Sequence, residues 1–145
     1  MRLRLIAPAL IYAAAACSAH TTDSPPGIQA LQDQRRAVID KIGSDTLQPL
    51  SLWQQEAPPS CASPLLAKAR DSVLVTASLI TPDREGVDMV VESGSWILRV
   101  ADAARQHRCK DVARDLYETV IATYTGAAYA ALRQRAQIGI EDLRQ

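Results

Sequence analysis

Phenylalanine is absent from this 145-residue chain, and aromatic residues of any kind make up 4% of it. Without broad aromatic faces, a core must form by close packing of aliphatic and small side chains, as Ala-rich helices do. Histidine is nearly missing too, with only His20 and His107 present. No Cys-x-x-Cys pair and no glycine run able to cradle a phosphate occurs, so zinc-ribbon and P-loop chemistry have no carrier. Nor is one sign of charge in excess: 16 Lys+Arg stand against 16 Asp+Glu. A nucleic-acid footprint needs basic residues gathered on one face, and near neutrality gives no pull toward anionic lipid. No apolar run reaches the ~20 residues that span a bilayer.

What is present begins at the amino terminus. Arg2 and Arg4 precede an uncharged stretch, residues 5–16, that is apolar apart from Tyr12 and runs out through Ala14-Ala15-Ala16 into Cys17. A basic stub, a short apolar run and a small-residue exit predict a secretory signal peptide over residues 1–16. These residues resemble the lipobox of bacterial lipoproteins, with Ala14 where that family usually has Leu. The resemblance implies diacylation of Cys17 with chains such as palmitate, cleavage before it, and acylation of the new amino terminus. At about 0.8 kcal/mol per buried methylene, two or three chains give stable anchoring where one does not. Ser18, in place of Asp after the cysteine, implies the outer membrane as destination. Simple secretion with cleavage near Ala16 or Ala19, leaving a soluble periplasmic protein, is the alternative. Loss of Arg2 and Arg4 leaves 14 of the 16 Lys+Arg against 16 Asp+Glu, a balance near −2. Residues 17–27 read as a polar, turn-forming tether and residues 28–145 as the folded domain.

Apolar and polar residues nowhere alternate with period two for long. Helical periodicity predominates, and the expected fold is all-α: a small antiparallel bundle of about five helices. Ile28, Leu31, Arg35, Val38, Ile39 and Ile42 form one stripe, with Gly43 as its stop. Residues 47–56, around Trp53, are ambiguous. Ser63-Pro64 is a start signal, with serine as N-cap and proline in the first turn. The helix it opens is expected to bury Leu65, Leu66, Ala69, Val73 and Ala77. Thr81-Pro82-Asp83 repeats the signal for a helix ending near Gln106, within which Gly94 admits a close neighbour or makes a kink. Residues 111–124 and 127–143 supply the last two helices.

In an exported chain, Cys61 and Cys109 are expected to form a disulfide, worth about 4 kcal/mol on the chain-entropy model. Independent thiols, or a metal site with His107, are the rival reading, and the ligand set is thin for a metal. Ala101, Ala113 and Tyr117 stand where a tetratricopeptide hairpin has its small residues and second-helix aromatic, so residues 94–126 resemble one such unit. Ile97 and Ala104 replace aromatics of that pattern. Repeat units bury their hydrophobic faces by stacking, and a plain helical bundle is the other reading. In architecture and address alone, a small helical outer-membrane lipoprotein with an internal disulfide also resembles the pilotins of secretion systems. Those proteins bind a helical tail of a secretin subunit in a groove.

No catalytic set assembles from the residues. His107, among Gln106, Arg108 and Lys110, suits a helix C-terminus, and Asp83/Glu85 and Glu141/Asp142 read as helix-end and surface charge. Arg105, Arg108, Lys110, Arg114, Arg133 and Arg135 are spaced among acids as a solvated face. Tyr117, Tyr124 and Tyr129 recur near helical spacing; their simplest place is the core, with the hydroxyl reaching water. On an open concave surface they would instead join Trp53 and Trp96 as anchors for a peptide or amphipathic helix. The expected function is non-enzymatic, with no cofactor and no metal. The chain would be a lipid-anchored, periplasm-facing helical protein that binds another envelope protein, as a scaffold or pilotin-like escort. A periplasmic enzyme or inhibitor with a dispersed site, and an immunity lipoprotein, are the alternatives.

Overall fold

The computed structural model of the chain describes residues 26–81 and 86–145. The leader expected over residues 1–16, Cys17, His20 and the start signal at Pro82-Asp83 lie outside the described residues. Within them the fold is all-α: α1 (Pro26–Gln54), α2 (Pro64–Leu79), α3 (Val87–Gln106), α4 (Lys110–Thr123) and α5 (Ala130–Asp142), the last entered through one 3-10 turn. No strand occurs among the described residues.

α1 corrects the sequence reading twice. Gly43 does not stop it, and the undecided segment 47–56 is its continuation as far as Gln54. Glycine inside a helix costs about 1 kcal/mol relative to alanine, and Pro49 forgoes one more helical hydrogen bond. Downstream of both, Leu50 and Trp53 are buried in the shared core, and burying two such side chains outweighs those local penalties. The helix also takes in Pro26 and Gly27, which the sequence assigns to the tether.

α2 starts where Ser63-Pro64 predicts. The Ser63 hydroxyl oxygen accepts from the Leu65 amide at 3.3 Å and donates to the Glu56 carboxylate at 2.6 Å. Trp53, fully buried, donates its indole N–H to the Ser60 carbonyl at 2.8 Å. These bonds hold loop 55–63 against the end of α1. There Cys61 is disulfide-bonded to Cys109, with Cα atoms 5.3 Å apart, which fastens the loop to the α3–α4 joint.

That joint is a Schellman turn with an unusual residue in its key position. The Arg108 amide donates to the Arg105 carbonyl at 3.0 Å and the Cys109 amide to the Ala104 carbonyl at 2.8 Å. Both bonds require the residue after the C-cap to be left-handed, a place glycine normally fills. Arg108 takes it, with φ 63°. His107, the C-cap of α3, sets its ring edge-on to Trp53 at 5.0 Å.

α3 is the central helix, packing on α2, α4 and α5. Its start differs from expectation: Gly86 is the N-cap, and the helix begins at Val87. Gly94 admits a close neighbour, within an α3 that runs unbroken through it. A methyl group there would lie 2.6 Å from Leu132 Cδ1 and 3.2 Å from Tyr124 Cζ. α3 and α4 form the pair expected over 94–126, with Ala101 and Ala113 fully buried.

Candidate functional site

The sequence-based anchors are largely core. Trp53, Tyr117 and Tyr124 are fully buried and Tyr129 is 6% exposed, so none of the four presents a surface to a partner; the tyrosines lie in the core, but the hydroxyls of Tyr117 and Tyr124 are held by protein groups where the sequence predicts that they reach water. Tyr124 shares a hydrogen bond with Ser93 at 2.8 Å and meets the Tyr129 ring edge-on at 6.0 Å. Burial raises its pKa. Trp96 alone is partly open, in a shallow polar hollow beside Asp88, Glu92, Arg99 and Arg135.

Tyr117 is the hub of a polar cluster that ties three helices. Its hydroxyl donates to Asp102 at 2.6 Å and accepts from Arg105 Nε at 3.3 Å. Arg105 reaches on to Asp142 of α5 at 3.0 Å, and Arg135 pairs with the second oxygen of Asp102. Burial first, and donation to Asp102 second, push the Tyr117 hydroxyl up to about 12. A phenol so strongly held in its protonated form is a poor proton shuttle at neutral pH, and the cluster works as a fastener.

Several basic residues of the expected solvated face have structural partners as well. Arg133 donates to the carbonyls of Tyr124 and Gly126 (2.7 Å to the latter) past the end of α4. Lys110 donates to the Leu143 carbonyl at 3.1 Å. Cations at a helix carboxyl end satisfy carbonyls that have no partner inside the helix. Among the described residues, no three His, Cys, Asp or Glu side chains lie close enough to hold a metal ion, and no helix is long and apolar enough to cross a membrane.

The open apolar site lies elsewhere, between α1 and α2. A groove of about 870 Å³ runs there, with Val38 and Ile42 on one wall and Ala67, Val75 and Leu79 on the other. Val38 is 46% exposed, Val75 58% and Leu79 62%. The floor has one polar rung: Thr46 and Ser72 share a hydrogen bond at 2.9 Å, and Thr76 donates to the Ser72 carbonyl at 2.8 Å. The rim carries Lys41, Asp45, Lys68 and Asp71, of which Lys41 and Asp45 pair with each other at 3.2 Å. Soluble proteins rarely leave several large aliphatic side chains open in one patch without a use for it.

The sequence held half of this signal. Ile28, Leu31, Val38 and Ile42 were recognisable as an apolar stripe, but a stripe normally signals a buried face. Here Ile28 and Leu31 are 51% and 57% exposed. The α2 half was hidden, because Val75 and Leu79 fall off that helix's buried row. Comparison of the chain with protein-family models, curated proteins and solved structures finds no match.

Proposed function

We propose that this protein is a non-enzymatic, lipid-anchored helical adaptor that faces the periplasm and binds another envelope protein through the α1–α2 groove. The groove is the observation that carries the reading. At 1.5 Å per helical residue its α2 wall, Pro64 to Leu79, is about 22 Å long and its α1 wall, Val38 to Asp45, about 10 Å, so a ligand helix lying along α2 has about two of its turns held between both walls. Two apolar walls with charges along the rim suit an amphipathic helix laid between them, its aliphatic stripe down and its polar face to water. The polar rung on the floor is internally paired and asks nothing of the ligand. The rest of the molecule supplies rigidity: a disulfide and a three-helix polar cluster hold the scaffold that presents the groove. Anchoring through Cys17 would keep such an adaptor at the outer membrane, with residues 18–25 as spacer.

A photo-crosslinking side chain at position 75, in the full chain in cells, tests the docking. One dominant envelope protein should be captured there, and not from Gln137 on the exposed side of α5. Val75→Glu should reduce capture from a groove position such as 67 at least tenfold. Equal products from both faces would refute the site. Mass spectrometry of the mature chain tests the anchor: two or three acyl chains on residue 17 support it, and an unmodified thiol or retained leader overturns it.

A further inference from the structure

Among the described residues, the amino-terminal part of α1 has no partner within its own chain. Thr46 faces Ser72 across the α1–α2 contact, and the two helices run antiparallel, so Leu79, seven residues beyond Ser72, stands level with Ile39. Residues 26–38 therefore extend about 20 Å past the end of α2. Burial agrees: each described side chain from Gly27 to Val38 is exposed, and Ile39 is the first to be half-covered. A helical segment of this length is marginal in water on propensity alone. It nevertheless carries Ile28, Leu31 and Val38, spaced by three and seven residues on one side of the helix, with Arg35 the one charged position of that row.

We infer that a second copy of this chain covers that stripe, each copy's α1 overhang lying in the α1–α2 groove of the other. Four features of the chain favour a second copy over a foreign helix as the resting occupant. The overhang, about 20 Å long, matches the α2 wall of the groove, about 22 Å from Pro64 to Leu79. The two surfaces adjoin on one helix, sharing Val38, so a twofold axis beside that residue satisfies both at once, as an isologous contact requires. The product is a four-helix arrangement of α1 and α2 with their mates, the standard way to bury such stripes. Charge does not oppose it. By sequence the overhang carries Asp33, Arg35 and Arg36, and the rim carries Lys41, Asp45, Lys68 and Asp71; both signs stand on each surface, and a balance near −2 without the leader is too small for like copies to repel strongly. The inference rests on reading the groove as a helix receptor, and it makes self-pairing and client binding mutually exclusive.

Two tagged full-length copies, one Leu31→Cys and the other Val75→Cys, co-expressed and mildly oxidised in membranes, test this directly. A mixed disulfide dimer should form at least tenfold more than with a Leu31→Cys and Gln137→Cys pair. Equal yields, or no dimer from either pair, overturn the inference. Light scattering of the full chain in detergent at tens of micromolar should give two chains per particle, and one for Leu31→Glu or Val75→Glu. Both substituted sites are more than half exposed, and an unchanged melting temperature of the monomer confirms folding. The client reading separates cleanly. Leu31→Glu should keep or increase envelope-protein capture, whereas Val75→Glu should lose capture and dimer together. A monomeric parent that still captures its client sinks the self-pairing alone.

Discussion

Alanine at position 139 would place a methyl carbon 2.6 Å from Cε1 and Cε2 of Tyr117, and closer still to Cζ. On helix propensity alone, Gly139→Ala in α5 should stabilise by about 1 kcal/mol. Packing opposes it. Overfilling a close-packed core costs about 1–3 kcal/mol when the neighbours can shift. Here the neighbour is a fully buried ring whose hydroxyl is fastened to Asp102 and Arg105. Retreat of the ring stretches a hydrogen bond to a charged acceptor, worth about 1.5–3 kcal/mol. The net expectation is a loss of about 2–4 kcal/mol, a large share of the ~5–15 kcal/mol typical of a domain. Gly43→Ala is the control. That glycine also lies in a helix, but nothing approaches within 4 Å of where its methyl would stand, so the propensity gain of about 0.5–1 kcal/mol should appear undiminished. Urea unfolding followed by far-ultraviolet circular dichroism compares the two. A Gly139→Ala protein as stable as the parent would refute the packing argument.

Arg108→Gly should stabilise by about 0.5 kcal/mol, because the left-handed conformation at φ 63° costs a side chain about 1–2 kcal/mol and glycine's added unfolded-state freedom returns about 0.5–1; a lower denaturation midpoint would contradict this. Replacing Cys61 and Cys109 by serine should cost about 4 kcal/mol, given their sequence separation of 48, and calorimetry should show the melting temperature falling by more than ten degrees. Stability should also fall between about pH 10 and pH 12. The folded protein keeps the Tyr117 proton up to about pH 12, whereas the unfolded chain releases it near 10, so unfolding is increasingly favoured across that window by up to roughly 2–3 kcal/mol. In Tyr117→Phe, already weaker at pH 7 by about 1.5–3 kcal/mol from the lost bond to Asp102, that alkaline component should be missing. An identical alkaline slope in both proteins would show that another group titrates.

How far the sequence was legible depended on whether the deciding interaction was local. The start of α2 was readable because Ser63, Pro64 and the first-turn amides are neighbours in the chain and cap each other whatever surrounds them. The end of α1 was not, because Gly43 and Pro49 are local helix breakers overruled by the distant partners of Leu50 and Trp53. The disulfide was readable only through the expected compartment and the count of cysteines; its position over the Schellman turn, with Arg108 in glycine's place, required the fold. The tyrosines show the same division. Their spacing marked them as facing one way, but whether that way was core or open groove depended on what α3 and α5 placed opposite them.

By itself, the sequence determined an all-α chain with its α2, α4 and α5 helices and most of its buried rows, because periodicity, caps and turn residues act over a few neighbouring positions. Only the tertiary structure decided which apolar rows find a partner. The stripe of α1 repeats at the same helical spacing as the buried rows, with Arg35 its one charged position, yet half of it stands in water. α2 ends at Leu79 while α1 extends beyond it, and the register between two helices is set by packing across the bundle.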